Sequence, residues 1–255
     1  MDRGLEEAIK AAGGVTELAR RIGIAQPSVS NWKRIPSERV LAVEAATGVT
    51  RTVLRPDLFT STGDVTGDVD LARARIYGLL GALLTQAPDE KLLDRIASLR
   101  GDASPLGLAQ IELADAARCT FVRKVEQEFF DLFIGVGRGE LLPYASYYLT
   151  GFLHERPLAS LREDLAQIGI ERANKVAEPE DHAGILCEIM AGMARGDLPS
   201  PDNAQHGIFE KHMVPWIGRF FADLERAEAA DFYRRVGTVG RVFIDIETAA
   251  FALPS

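Results

Sequence analysis

The chain has 255 residues, of which 47% are apolar and 26% are charged, and its net charge is −8. This composition excludes disordered and fibrous proteins, and no apolar run approaches membrane-spanning length, so membrane insertion is not expected. Cys119 and Cys187 lie far apart without metal-ligand spacing, which predicts buried free thiols, no metal site and a cytoplasmic protein.

The first pattern along the chain predicts two short helices joined by a tight turn, over residues 13–34. Gly23 stands where the turn needs a positive φ, and Ala19 is small where the helices would cross. Pro27 suits the first turn of the second helix, which should start near Gln26. The contacts between the helices would come from Ile22, Ile24, Val29 and Trp32.

The outward face of that second helix is polar, with side chains that hydrogen-bond base edges or phosphates in a major groove. These side chains are Gln26, Ser28, Ser30, Asn31, Lys33 and Arg34. Gln26 and Asn31 are the predicted base readers, whereas Lys33 and Arg34 suit phosphates. Residues 1–59 resemble the YdaS/Cro-type helix-turn-helix family, which implies DNA binding. The alternative is a domain that binds only protein, because residues 1–60 carry nine basic against seven acidic residues, a net charge of only +2.

Residues 60–70 are rich in Thr, Gly and Asp, which predicts a linker between one domain at 1–59 and a larger one at 71–255. Beyond the linker, apolar residues recur with helical period and strand-like alternation is nearly absent. Breaks are predicted at 87–89, 101–107, 135–143, 169–177 and 196–203, and around Pro215. The predicted fold is therefore all-α, with a small helix-turn-helix domain and a larger all-helical bundle.

Three segments of the bundle place unusual residues beside helix ends. In the first, a helix ends with Phe129, Phe130 and Phe133 on its apolar face, and these rings are predicted to pack in the core. A glycine-rich loop follows. After the loop comes a polar and aromatic cluster that fits either the core or the edge of a peptide groove, namely Tyr144, Ser146 and Tyr147.

In the second segment, Pro179 is predicted to begin a helix whose first turn is acidic. His182 follows, either as a core histidine or, with Glu178 and Asp181, as part of a carboxylate rim for a cationic peptide. In the third segment, Phe220 and Leu224 continue an apolar stripe that starts at Trp216. The stripe is mostly core, but His212 and Trp216 also fit the border of a cleft.

Together these segments resemble the TorD/DmsD/NarJ family of cytoplasmic redox-enzyme maturation chaperones, over roughly residues 71–251. The resemblance is carried by Pro143-Tyr-x-Ser-x-Tyr, Glu178-Pro-x-Asp-His and His212-x-x-Pro-Trp. It implies an all-helical, TorD-like domain that binds the twin-arginine signal peptide or apoprotein of a molybdoenzyme, such as a formate dehydrogenase. Asp181 and His182 match positions linked to peptide recognition. One departure is Gly135-Val136-Gly137, where the family has Gly-Pro.

The predicted function is a cytoplasmic chaperone without cofactor or enzymatic activity, since residues 71–255 hold no catalytic motif. Its attached DNA-binding domain would couple client occupancy to transcription. The alternative is a one-component transcriptional regulator whose helical domain senses a ligand or dimerises. The sequence leaves the client, the operator and the existence of a homodimer open.

Overall fold

The computed structural model describes residues 2–59, 66–171, 178–201 and 203–253. Within these ranges the regular structure is helical and no strand occurs, which confirms the predicted all-α class. The helices of the N-terminal region are α1 (Arg3–Ala12), α2 (Val15–Arg21), α3 (Gln26–Ser30), α4 (Val40–Thr47) and α5 (Arg51–Leu54). A single 3₁₀ turn, Ser37–Arg39, precedes α4.

The helices that follow are α6 (Thr66–Thr85), α7 (Glu90–Ala97), α8 (Pro105–Arg118), α9 (Val122–Phe129), α10 (Ala145–Thr150), α11 (Arg156–Gln167), α12 (Ala183–Arg195), α13 (Ala204–His212), α14 (Ile217–Arg226) and α15 (Phe232–Phe251). A π-helical turn, Phe130–Ile134, extends α9. In the described part of the chain, no helix is both long enough and apolar enough to cross a membrane.

Helices α1 to α5 enclose an apolar core of their own, and the predicted helix-turn-helix packing is confirmed. Val29 and Ala19 are buried where α2 and α3 meet, and Ile22, Ile24 and Trp32 pack against them. Gly23 adopts φ +70° at the turn, a conformation that glycine adopts at little cost. Helix α3 is shorter than expected, because Asn31 is already its C-cap. Lys33 and Arg34 lie in the turn beyond it, not on the helix.

The larger core is built around α6 and α12, which pack antiparallel and very closely. A Cβ atom on Gly184 of α12 would lie 2.7 Å from Thr85 Cγ2 and 3.1 Å from Leu84 Cβ, both on α6. Glycine is therefore the residue that lets the two helices approach this closely. Helix α12 is buried on nearly every side, which is the environment of a central helix in a bundle.

Around this pair, α8, α14 and α15 complete the bundle. The predicted stripe of Trp216, Phe220 and Leu224 is fully buried. Phe129 and Phe133 pack against Tyr233 of α15, with ring centroids 5.9 and 5.5 Å away. Phe130 was predicted to join them, but it is 36% exposed. The π-helical turn changes the residue spacing after Phe129 and brings Leu132 into the core instead.

A buried carboxylate fixes the start of α15. Glu128 of α9 accepts hydrogen bonds from the backbone N–H groups of Asp231, Phe232 and Tyr233, at 2.7, 3.1 and 2.6 Å. These N–H groups have no acceptor within α15, and a carboxylate also suits the positive end of the helix dipole. Burial nevertheless raises the pKa of Glu128 above its usual value, although the backbone hydrogen bonds oppose the shift.

Several sequence predictions need correction. Pro179 does not begin a helix, because α12 begins at Ala183 with His182 as its N-cap. Residues 66–70 of the predicted linker are helical, and residues 60–65 lie outside the described residues. Cys119 is exposed at the end of α8, whereas Cys187 is buried as expected.

Two predicted breaks fall as follows. Gly169 follows α11 with φ +79°, but residues 172–177 of the same predicted break lie outside the described residues. Pro215 lies in the turn between α13 and α14 and does not kink either helix. The domain bounds at 1–59 and 71–255 remain a prediction.

Candidate functional site

The segment Glu178–His182 lies against the start of α10, so the structure brings two of the sequence segments together. Ala145 N donates to the carbonyl oxygen of Asp181 at 2.9 Å, and Ala183 N donates to that of Pro143 at 2.8 Å. His182 caps α12, since its Nδ1 accepts from Gly184 N at 3.0 Å. These backbone contacts hold the side chains of Tyr144, Ser146, Glu178, Asp181 and His182 in one cluster.

Asp181 is the buried centre of this cluster, with 1% of its surface exposed. Its Oδ2 accepts from Ser146 N at 2.9 Å and from Ser146 Oγ at 2.6 Å. Its Oδ1 is also buried, yet no hydrogen-bond donor reaches it from the described residues. A buried carboxylate oxygen without a donor is costly, so this atom is suited to receive one from a ligand.

A cavity of about 220 Å³ lies beside this carboxylate and is lined by Tyr144, Leu153, His154, Glu178, Pro179 and Asp181. The Tyr144 hydroxyl donates to Glu178 Oε2 at 2.6 Å. Burial and the neighbouring carboxylates raise the pKa of Tyr144 well above its usual value, so the hydroxyl keeps its proton and remains a donor. Among the described residues, the cavity therefore holds two acidic side chains, and neither forms an ion pair with a lysine or arginine.

Leu153 and His154 are functional candidates that the sequence analysis missed. They follow α10 in a loop without a motif, and only the fold places them over Asp181. His154 adopts φ +60°, in the left-handed region that residues other than glycine seldom occupy. Such strain is often found at ligand sites.

His182 positions the cluster without adding charge at neutral pH. Burial lowers its pKa from 6.5 to about 4, although the charges of Glu178 and Asp181 act in the opposite direction. The hydrogen bond that Nδ1 accepts places the remaining proton on Nε2. The ring stands edge-on to Tyr144, with centroids 5.1 Å apart. His182 is thus a buried N-cap, in agreement with the core-histidine alternative, and its role in peptide binding remains a prediction.

The other predicted peptide-binding residues are not in the described lining of the Asp181 cavity. Tyr147 is half-buried, and its hydroxyl accepts from Arg138 at 2.7 Å. His212 Nε2 lies 2.6 Å from Asp164 Oδ2 on α11, and the Trp216 indole N–H donates to the His212 carbonyl at 2.8 Å. Trp216 is fully buried. Their assignment to a peptide site remains a prediction.

A second depression of about 520 Å³ lies between α11 and α12. Its apolar lining includes Leu165, Ile170, Ile185, Ile189 and Leu198. Its charged lining consists of Arg162, Glu171, Glu178, Glu180, Glu188, Arg195 and Asp197. We call this depression the α11–α12 groove. Glu178 lines both the groove and the Asp181 cavity, so the two spaces adjoin.

In the N-terminal domain, all six predicted DNA-contacting side chains are exposed. Gln26 Nε2 donates to Ser30 Oγ at 2.7 Å across one turn of α3. Arg34 pairs with Asp57 at 3.0 Å, whereas Lys33 has no acidic partner among the described residues. The surface is accessible, but one of its two cations is already paired with an acid.

Metal binding finds no support in the described ranges, where no three His, Cys, Asp or Glu side chains are grouped closely enough to hold an ion.

Both regions of the chain are similar to known proteins. Residues 100–222 match the family model described as nitrate reductase delta subunit, and residues 5–62 match the model described as bacterial toxin YdaS. The chaperone protein TorD of Vibrio cholerae is 29% identical over 126 residues, which cover 46% of this chain and 57% of that protein.

TorD of Vibrio atlanticus is 24% identical over 203 residues, which cover 71% of this chain and 94% of that protein. The first relative is thus matched over little more than half its length and the second over almost all of it. A crystal structure described as a redox enzyme maturation protein, from Archaeoglobus fulgidus, aligns with a TM-score of 0.45 at 18% identity and covers 74% of this chain and 96% of that one. The family and sequence matches, taken with the Glu178–His182 cluster, show that the helical bundle of this chain is similar to proteins of the TorD/NarJ family and that the helix-turn-helix domain before it is similar to YdaS.

Proposed function

We propose that this chain is a cytoplasmic maturation chaperone that binds the arginine pair of a molybdoenzyme signal peptide at Asp181 and Glu178. The observation that carries the proposal is Asp181 Oδ1, a buried carboxylate oxygen without a donor beside a 220 Å³ cavity. The relatives named TorD are chaperones, which supports a role in binding a client and not in catalysis.

A guanidinium group fits the chemistry of this cavity. It is planar, it presents five N–H donors, and it pairs with carboxylates through two parallel hydrogen bonds. Glu178 Oε2 is already engaged by Tyr144, which fixes the carboxylate and leaves its second oxygen for a ligand. Ser146 fixes Asp181 in the same way, through Oδ2. Two oriented carboxylates with free oxygens are suited to a pair of arginines.

The loop over the cavity would have to move for this binding. Asp181 Oδ1 is closed from solvent, so an arginine reaches it only when Leu153 and His154 shift. The left-handed φ of His154 is a less stable conformation than its alternatives, which lowers the cost of that movement. Leu153 is 40% exposed and Phe152 is 70% exposed. Both would meet the apolar residues that follow the arginines in such a peptide.

The experiment is titration of the full chain with a synthetic twin-arginine peptide in a calorimeter. Asp181→Asn keeps the size of the side chain and its contact with Ser146 but removes the charge. We expect at least about tenfold weaker binding, the equivalent of roughly 1.4 kcal/mol. Glu163→Gln on the exposed face of α11 is the matched control, because it changes the net charge equally away from the site. Equal affinities of Asp181→Asn and Glu163→Gln would sink the proposed site.

The N-terminal domain is proposed to bind DNA through α3 and the turn that follows it. The support is the match to the YdaS model and the exposure of every polar residue from Gln26 to Arg34. The competing function, a one-component regulator with a small-ligand pocket, predicts DNA binding without affinity for the signal peptide. The calorimetric titration therefore separates the two functions.

A further inference from the structure

The α11–α12 groove combines an apolar floor with an acidic rim. Five acidic and two basic side chains line it. Both arginines are already paired, Arg162 with Glu180 at 2.8 Å and Arg195 with Asp197 at 2.9 Å. Glu171, Glu178 and Glu188 have no basic partner among the described residues. The groove is thus complementary to an apolar chain segment that carries positive charge, and its volume lies within the roughly 300–1,000 Å³ of ligand sites.

One of these unpaired glutamates, Glu188, is also partly removed from water. Burial raises the pKa of Glu188 above its usual value, and the side chain has only a long contact of 3.5 Å with Thr85 Oγ1. A cation bound in the groove would offset this desolvation.

The N-terminal domain contacts the α12 wall of this groove. Arg51 Nη1 donates to the carbonyl oxygen of Gly196, the C-cap of α12, at 2.6 Å and lies 3.5 Å from Asp197. Ser200 N donates to the carbonyl oxygen of Leu58 at 2.8 Å. Arg51 is itself held by Glu44, at 2.7 Å. The loop 195–198, which forms one end of the groove, is therefore attached to the N-terminal domain.

The same domain also contacts the α11 wall. Gly169, which follows α11, lies so close to Ser37 that a Cβ atom at Gly169 would be 2.5 Å from Ser37 Oγ. The next residues, Ile170 and Glu171, line the groove. The N-terminal domain consequently bridges the two walls of the groove at their C-terminal ends.

We propose that the α11–α12 groove is a second client site, for an apolar segment with basic residues, and that its occupancy releases the N-terminal domain from the bundle. The inference rests on the proposed function for the identity of the client. An occupant that separates α11 from α12 moves Gly169 away from Gly196. One small domain cannot keep its contacts with both walls when they separate. By linkage, a loosened N-terminal domain must also favour occupancy of the groove.

The first experiment follows amide hydrogen exchange in the full chain with and without a synthetic peptide of two arginines followed by a Leu/Ala run. We expect exchange in residues 51–59 and 196–201 to become roughly fivefold faster or more when the peptide is bound. A peptide in which both arginines are replaced by glutamine should bind more weakly, because both the Asp181 cavity and the acidic rim of the groove lose a cationic partner. Binding of the original peptide with unchanged exchange in both ranges would overturn the proposal.

A second experiment does not depend on any peptide. Ala166 lines the groove and is exposed, so Ala166→Trp places a bulky apolar group in it. Ala159→Trp puts the same group on an exposed position of α11 outside the groove and serves as the control. We expect faster exchange at residues 51–59 and 196–201 in Ala166→Trp alone. Equal exchange in both variants would contradict the linkage.

A third variant tests the linkage from the side of the N-terminal domain. Arg51→Gln removes the contact with Gly196, and Arg39→Gln makes the same charge change at an exposed side chain without an acidic partner among the described residues. Arg51→Gln should bind the peptide more tightly than Arg39→Gln, by roughly fivefold. If the peptide fails to bind the wild-type chain, the proposed function fails, while the exchange rates of Ala166→Trp still decide the linkage.

Discussion

The two regions of this molecule place their functional groups in opposite environments. In the N-terminal domain the candidate DNA surface consists of nearly consecutive residues, and all six are exposed. In the bundle the candidate peptide site joins residues far apart in the chain, and Asp181 and His182 are almost completely buried. A surface of consecutive exposed residues can change without disturbing the core. The buried site cannot, because its side chains also hold the fold together.

Charged groups differ between the two regions in the same way. Glu17 pairs with Arg20 and Arg21 on the surface of α2, where ion pairs contribute little to stability. Glu128 is buried and accepts three backbone hydrogen bonds from another helix. The difference predicts that loss of a buried carboxylate that caps a helix acts on stability, whereas substitutions in the N-terminal surface act on binding alone.

The largest expected effect is on Glu128. Glu128→Ala should lower the free energy of unfolding by about 3 to 5 kcal/mol, because three N–H groups at the start of α15 lose their acceptor at roughly 1–3 kcal/mol each. Urea denaturation followed by circular dichroism measures it. Glu126→Ala, an exposed glutamate on the same helix, is the control and should stay within about 0.5 kcal/mol of the wild type. Similar losses of stability in both variants would show that Glu128 does not stabilise the start of α15.

The next largest effect is the dependence of the unfolding free energy on pH that His182 causes. Its pKa is lowered from 6.5 to about 4 in the folded chain by burial. Between these values the unfolded chain binds a proton that the folded chain does not, so stability falls as the pH drops from 6.5 towards 4. His182→Asn keeps an N-cap acceptor but does not titrate. The wild type should therefore lose about 2 to 3 kcal/mol more than the variant over this range. If the unfolding free energies of the two proteins fall equally with pH, the lowered pKa of His182 is contradicted.

A smaller effect is expected where α6 and α12 meet. Gly184→Ala places a methyl group 2.7 Å from Thr85 Cγ2 in a closely packed contact, and we expect a loss of about 1 to 2 kcal/mol. The same substitution at Gly207 of α13 meets no atom within 4 Å. Gly207→Ala should stabilise the protein by about 0.5–1 kcal/mol, through helix propensity. Thermal unfolding of the two variants shows whether each is less or more stable than the wild type. If Gly184→Ala is as stable as the wild type, the close approach of α6 and α12 does not require glycine at this position.

The smallest effect concerns DNA. Lys33→Gln removes one cation without an acidic partner, so the slope of log affinity against log salt concentration should fall by about 1. Fluorescence anisotropy with a DNA duplex measures the slope, and the stability of the protein should not change. Glu7→Gln, on the exposed face of α1, controls for net charge. If Lys33→Gln and the wild type have the same slope, the turn after α3 does not contact phosphates.

The sequence was sufficient where structure and function depend on neighbouring residues. Gly23, Val29 and Trp32 specified the helix-turn-helix, because a two-helix unit is defined by a turn and by contacts a few residues apart. Helical periodicity specified the all-α class for the same reason. The local argument failed at Phe130, where a π-helical turn alters the spacing, and at Pro179, where the residues before α12 form a turn and not its first helical turn.

In the bundle, the sequence pointed to Tyr144, Ser146, Glu178, Asp181 and His182, and only the tertiary structure brought these five together and left Tyr147, His212 and Trp216 outside the cavity. The motif contains Asp181 and His182, but their burial comes from α10 packing against the segment before α12, and neither segment specifies that contact by itself. Leu153, His154 and the α11–α12 groove had no signal in the sequence, because a cavity is defined by the separation of helices that are remote along the chain. The strength of an electrostatic interaction depends on how far water is excluded, and that is a property of the packed bundle, not of the order of its residues.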